Sequence, residues 1–118
     1  MDYFFCHTVV ETPEFIRQIQ KYLLEIERDA LVANLAAHPV AGVIVKGAGG
    51  IRKIRWAYDQ RGKRGGLRVM YWYDSNQKLV YALTAYTKSD KDLLSPSELR
   101  QLNALCRQLD KDLGGNNV

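Results

Sequence analysis

The sequence predicts an α+β domain: a small antiparallel or mixed sheet of four strands packed against helices, in the order strand, helix, helix, three strands, helix. Three observations carry that prediction. Helix-start residues followed by apolar positions at helical spacing occur twice, after Thr12 and after Ser95. Between them lie three segments rich in β-branched and aromatic residues, separated by turn formers. The chain has 118 residues, 47% hydrophobic and 25% charged, which suits one soluble domain with a core of its own. We read residues 1–113 as that domain and the Gly- and Asn-rich residues 114–118 as a mobile tail.

Tyr3 to Val10 reads as the first strand. Thr12-Pro13-Glu14 combines a capping hydroxyl, proline at the first helical position and an acid in the first turn. Phe15, Ile16, Ile19, Tyr22 and Leu23 follow at helical spacing. A second helix begins near Leu24 or Glu25, with Ile26, Leu31 and Leu35 inward, and stops near His38 because Pro39 cannot continue it. Residues 42–50 hold four glycines and read as a loop with at most a short extended piece. Gly47-Ala48-Gly49-Gly50 is a turn and not a phosphate loop, since no G-K-[ST] follows. Strands are expected at Ile51–Tyr58, Leu67–Tyr73 and Lys78–Thr87. A basic hairpin loop, Asp59 to Gly66, joins the first two, and Asp74-Ser75-Asn76-Gln77 joins the second and third. Ser95-Pro96-Ser97-Glu98 is a capping-box pattern, continued by Leu99, Leu102, Leu105 or Cys106, Leu109 and Leu113. The sheet is expected to carry its helices on one face and to leave the other partly open. Trp56 and Trp72 read as core.

Composition sets aside several classes. No apolar run approaches the ~20 residues that span a bilayer, and the start lacks the basic region of a signal peptide, so no membrane association and a cytoplasmic location are expected. Cys6 and Cys106 form no C-x-x-C pair and read as packed thiols. No H-E-x-x-H motif or carboxylate cluster offers a metal site, so no metal or cofactor is expected. His7 reads as packed or hydrogen-bonded, and His38 as a helix-end residue.

Charge is the informative feature. Arg52, Lys53, Arg55, Arg61, Lys63, Arg64 and Arg68 are seven of the 17 Lys and Arg residues, interrupted by one acid, Asp59. That window carries +6, while the remainder sums to −2. A local field of this sign recruits polyanions, of which nucleic acid is the commonest in a cell.

Alternation places Lys53 and Arg55 on one face of their strand, opposite Arg52, Ile54 and Trp56. Arg68, Met70 and Trp72 share a face in the next strand. Thr84, Tyr86 and Lys88 share one in the third, opposite Leu83 and Ala85. Arg61, Lys63, Arg64, Arg68, Tyr86 and Lys88 can then converge on one patch. Arg offers a fork for phosphate oxygens, Lys a point charge, and Tyr a stacking ring or a hydroxyl. RNA cleavage needs no outside nucleophile, because the 2′-OH attacks its own phosphate; the protein must supply a base, an acid and charge stabilisation. The residues alone leave three readings open: catalysis on RNA, non-catalytic nucleic-acid binding, and an acidic protein partner.

The blocks Gly49-Gly50-Ile51-Arg52-Lys53-Ile54-Arg55-Trp56, Gly62-Lys63-Arg64-Gly65-Gly66-Leu67-Arg68-Val69 and Tyr81 to Leu93 resemble toxins of the RelE/HigB type from bacterial type II toxin–antitoxin modules. Glu11-Thr12-Pro13-Glu14-Phe15 and His38-Pro39 fit the same pattern, so the similarity spans roughly residues 8–110. The resemblance implies a microbial-ribonuclease-like RelE fold. It implies a metal-independent endoribonuclease, an mRNA interferase, cutting messenger RNA in the ribosomal A site. It also implies a cognate antitoxin, often with a helix-turn-helix DNA-binding domain, through which alone operator DNA is reached.

By position, Arg68 falls at the family's phosphate-stabilising Arg, Lys88 at the basic residue closing the last strand, and Tyr86 two before it. Lys63 and Arg64 fall in the basic loop, with Arg61 a looser match, and Lys53 and Arg55 are candidate RNA contacts. Some relatives carry Arg where Lys88 stands, and the loop before Arg68 is longer than in the founding toxins. The sister ParE-like gyrase-inhibiting toxins share the fold but commonly lack this basic set. Tyr22 and Leu23 are candidate antitoxin anchors if exposed.

Overall fold

A computed structural model describes residues 7–60, 63–91 and 93–113, with the backbone alone at 59, 60 and 63–65. Within these the order is β1 (Thr8–Glu11), α1 (Pro13–Ile19), α2 (Glu25–Ala37), β2 (Val43–Ile44), β3 (Arg52–Gln60), β4 (Lys63–Asp74), β5 (Leu79–Thr87) and α3 (Pro96–Leu113). The strands form one mixed sheet in the order β1-β5-β4-β3-β2. β1 runs parallel to β5 and the other pairs are antiparallel. The α+β class is as expected, but the sheet has five strands and not four. The additional strand, β2, is two residues paired with Arg52 and Lys53, too short to show periodicity in sequence. Residues 3–6 of the expected first strand, Cys6 and the tail lie outside the described residues.

Helix starts follow their local chemistry. Thr12 Oγ1 accepts from the Phe15 N–H at 3.2 Å, and it reaches the Ala82 and Leu83 carbonyls at 3.0 and 3.1 Å. That hydroxyl therefore caps α1 and ties it to β5 together. Glu27 accepts from the Leu24 N–H at 2.7 Å at the start of α2. At α3 the Glu98 N–H bonds Ser95 Oγ at 3.1 Å while the Ser95 N–H bonds the Glu98 carboxylate at 2.8 Å.

Leu31 and Leu35 of α2 are buried, but Ile26 is 76% exposed. At 3.6 residues per turn it stands about 140° around the helix from Leu31. Arg28 takes the inner edge there and pairs with Glu11 at 3.3 Å. His7 is hydrogen-bonded, as expected: Nδ1–H donates to the Ala36 carbonyl at 3.0 Å, which leaves Nε2 to accept from Tyr73 OH at 2.8 Å. His38 caps the end of α2.

The helices occupy both faces, contrary to the one-face arrangement expected. Phe15, Ile19, Leu23, Leu31 and Leu35 pack on Leu67, Val69, Tyr71, Val80 and Ala82, with Ile54 and Trp56 at the margin. On the opposite face α3 brings Cys106, Leu99, Leu102, Leu105 and Leu109 against Ile51, Met70, Trp72, Tyr81 and Leu83. The amphipathic stripe of α3 had nowhere else to go, because α1 and α2 already fill the first face. Cys106 is a free, buried thiol, pushed up to about 12 by burial. Leu23 is buried and does not offer the exposed anchor foreseen.

Two local departures matter for the site. The basic segment 59–66 is mostly strand and not loop: Asp59 pairs with Arg64 and Gln60 with Lys63, so β3 and β4 form a long ribbon. On β5 the register shifts, with Met70 opposite Thr84 but Tyr71 opposite Ala82. Leu83 is thus an extra residue, a bulge, and it joins Tyr86 in the α3 cluster where simple alternation had put the two on opposite faces.

Three tyrosines are held neutral by the fold. Burial and the Asp90 hydrogen bond raise Tyr22 to about 12. Burial and then the Asp110 charge raise Tyr81 to about 12, and burial raises Tyr71. A group with a raised folded pKa contributes stability that is full below its unfolded pKa, near 10 for Tyr, and that fades as pH climbs through the folded value. Chemical denaturation midpoints should therefore fall between about pH 10 and pH 12. Tyr22→Phe should lessen that fall, and an unchanged alkaline limb in this variant would contradict the assignment.

Candidate nucleic-acid interface

The strand register builds the site. Arg55 on β3 stands opposite Arg68 on β4, and Arg68 stands opposite Tyr86 on β5. Directly opposed residues of antiparallel strands share a face, with Cα atoms about 4.5–5.5 Å apart. One lateral row, Arg55–Arg68–Tyr86, therefore crosses three strands. Lys53 and Met70 form the adjacent row. Met70 packs in the α3 cluster, so both rows are on the α3 side. The helix covers Ile51, Met70 and Leu83 but leaves Arg55 exposed.

This row sets the two like charges of Arg55 and Arg68 opposite each other. Like charges placed directly opposite repel. Arg68 is only 8% exposed, and none of the ion pairs among the described residues involves it. A poorly hydrated cation with no paired carboxylate among the described residues is costly to hold, and an oxyanion at the row would offset that cost. The planar fork of a guanidinium matches phosphate oxygens. Tyr86 is 5% exposed and packs beside Met70 and Leu83.

Lys88 lies one residue beyond β5 and is exposed. The turn after it is pinned. The Asp90 and Lys91 N–H groups both donate to the Thr87 carbonyl, at 3.1 and 3.0 Å. The Asp90 carboxylate accepts from Thr87 Oγ1 at 3.1 Å and from the Tyr22 hydroxyl. Lys91 pairs with Glu98, and this bond first, with the Ser95 N–H second, holds the Glu98 carboxyl below the ordinary range. Tyr22, Thr87 and Asp90 hold the turn after Lys88, a tie the sequence did not announce, because 68 residues separate Tyr22 from Asp90.

The basic segment does not fold back onto Arg68 as a loop would. Arg64 and Lys63 lie four and five residues earlier on β4, roughly 13 and 17 Å along the strand by its ~3.3 Å rise. Arg61 lies outside the described residues. Beside the row, a groove of about 750 Å³ runs between α1 and α3 past Thr84 and Tyr86. Its carboxylates are engaged: Glu14 by Arg17 and Gln18, Asp90 by Tyr22 and Thr87, Glu98 by Lys91 and Ser95. Among the described residues no group of three or more His, Cys, Asp or Glu could hold a metal ion, and no helix is long and apolar enough to cross a membrane.

Residues 12–115 match the family model described as "RelE toxin of RelE / RelB toxin-antitoxin system". The chain belongs to the RelE toxin family. Two solved structures share the RelE fold. One is the RelBE2 toxin–antitoxin complex from Mycobacterium tuberculosis, with TM-score 0.53 and 18% identity, covering 74% of this chain and 97% of that one. The other is a double arginine-to-alanine mutant of E. coli RelE in the free state, with TM-score 0.55 and 15% identity, covering 81% and 96%. The RelE match takes in every site residue named above, from Lys53 to Lys88.

Proposed function

We propose that this RelE toxin is a ribosome-dependent mRNA endoribonuclease, acting in the A site by 2′-OH attack on the phosphodiester. The row Arg55–Arg68–Tyr86 supports this reading most directly: a nearly buried guanidinium, opposed by a second, is built to receive a phosphate. Arg68 then stabilises the negative charge of the phosphorane, where preorganised donors act most strongly. Tyr86 and Lys88 flank it at the end of β5 and serve as the proton-transferring groups. Arg55 and Lys53 hold the strand on the sheet face. Lys63 and Arg64, farther along the ribbon, contribute phosphate contacts away from the scissile position, and Arg61 is assigned the same role from sequence alone.

The test uses purified protein, translating ribosomes and a reporter mRNA read by primer extension. New 5′ ends within codons are expected. Intact message together with inhibition of gyrase supercoiling would replace this reading with the ParE-like one. Intact message with retained RNA binding would leave a non-catalytic binder.

The partner that restrains the toxin is a cognate antitoxin, which reaches operator DNA through its own helix-turn-helix domain. The +6 window favours direct cover by acidic residues over Arg61–Arg68 and Lys88. Leu23 is buried and Tyr22 is tied to Asp90, so exclusion by bulk from the helical side has no anchor at these two residues. Lys63→Glu with Arg64→Glu separates the two modes. Under direct cover, antitoxin affinity falls at least tenfold, about 1.4 kcal/mol, and loses salt dependence. Unchanged affinity in calorimetry would establish bulk exclusion.

A further inference from the structure

We propose that the RNA strand crossing the Arg55–Arg68 row runs on into a second basic groove, between the 46–50 loop and α3, which holds its phosphate backbone. This rests on the RNA reading above and adds a site outside it. The groove is about 610 Å³, and its charged lining residues are Lys46, Arg100 and Arg107, all positive. Arg100 and Arg107 are seven residues apart on α3, hence on the same side and about 10 Å apart along the axis. Both are exposed, and none of the ion pairs among the described residues involves them or Lys46. This contrasts with the groove beside α1, where Lys21 and Lys91 are mixed with Glu14, Asp90 and Glu98 and all three carboxylates are engaged.

The wall opposite α3 is fixed in place. Asn103 donates to the Ala48 carbonyl, and the Val45 N–H donates to the Ile51 carbonyl at 2.8 Å. Gly49 has φ +66°, and any Cβ there would collide with Asn103, so loop and helix are fitted to each other around a glycine. A groove held open this way keeps its three cations apart, where a mobile loop would let them disperse.

Continuity with the first site selects RNA as the occupant. Residues 51, 53 and 55 share a strand face, with successive side chains about 6.6 Å apart. Ile51 is covered by α3 and the loop residue Ala48, so Lys53 stands where the open sheet meets the loop and helix. Positive charge then continues from Arg68 and Arg55 through Lys53 to Lys46, Arg100 and Arg107. Leu94 and Leu99 give the groove an apolar wall for ribose and base edges. With no aromatic side chain in the lining, the groove should hold RNA without preference for base.

Salt-dependent binding of single-stranded RNA tests this on Arg100→Ala/Arg107→Ala, where alanine keeps the helix. The probes are a short oligonucleotide reaching only the Arg55–Arg68 row and one long enough to pass α3. On the long RNA, the slope of log affinity against log salt should lessen by about 1.4, two contacts at ~0.7 each. On the short RNA it should not change. Arg17→Ala/Lys21→Ala, which removes two exposed charges elsewhere, should match the native protein on both. An unchanged slope on long RNA, with the native chain binding normally, overturns the second groove and leaves the proposed function standing. Equal losses on short and long RNA overturn it too, as they would reflect net charge alone. Capture of polyglutamate by the native groove, lost in the double variant while RNA binding is kept, assigns the groove to an acidic protein instead. Absence of any salt-dependent RNA binding by the native chain overturns both readings together.

Discussion

Arg68→Ala is expected to abolish growth inhibition while the protein remains folded. Arg68 stands between Arg55 and Tyr86 in strand register. It is 8% exposed and takes part in none of the ion pairs among the described residues. A group placed this way does little for the free protein and much for a bound phosphate. By analogy with single oxyanion donors, its loss should cost about 10²–10³ in cleavage rate, or roughly 3–4 kcal/mol. Arg68→Lys should recover only part of this, since an ammonium lacks the planar fork. Arg68→Met keeps the apolar stem and discards the charge, so it should melt at or above the native temperature. Growth curves at matched expression and thermal melts check both halves. Full toxicity of Arg68→Ala would rule out the site, and a large loss of stability in Arg68→Met would make the residue structural.

Thr12→Val is expected to lower both stability and activity, although Thr12 belongs to the opposite side of the sheet. Its hydroxyl caps α1 and reaches the carbonyls of Ala82 and Leu83. Losing the cap costs about 1 kcal/mol, and leaving a buried carbonyl without its donor costs about 1–3 kcal/mol more. The sum, about 2–4 kcal/mol, should appear as a lower denaturant midpoint with unchanged slope. The activity loss follows from where those carbonyls lie. Leu83 is the extra residue of β5, and the bulge decides that Tyr86 faces Arg68's side. Thr12→Ser keeps the donor and the cap and should restore activity. Native cleavage by Thr12→Val under conditions where it is fully folded would show that the bulge holds without this tie.

Much of the chain was readable because its signals are local. Thr12-Pro13 and Ser95-Pro96-Ser97-Glu98 start helices through bonds made within three residues, so no tertiary context is needed to see them. The positions of Leu31 and Leu35 followed from helical spacing, and both are buried; on α3 the spacing left Leu105 or Cys106 open, and Cys106 is the buried one. Ile26 departs from the expectation and is exposed, because its angle around the helix disagrees with that of Leu31. Alternation set Lys53 and Arg55 against Ile54 and Trp56 correctly. On β5 it placed Thr84 and Tyr86 opposite Ala85 correctly and misplaced only Leu83, the bulged residue at which the alternation reverses.

By itself the sequence determined the α+β class, the helix starts, the concentration of charge between Arg52 and Arg68, and the family, while α1 stops at Ile19, short of the Tyr22 and Leu23 that helical spacing included. Each of these depends on composition or on neighbours within a turn or a strand. Only the tertiary structure decided that α3 packs on the sheet face that carries Arg55 and Arg68, that Arg55 opposes Arg68 across two strands, and that Tyr22 and Asp90 pin the turn behind Lys88. These are pairings between residues far apart in the chain. They are set by which apolar faces must be covered and by the register in which strands meet, and no window of sequence contains both partners.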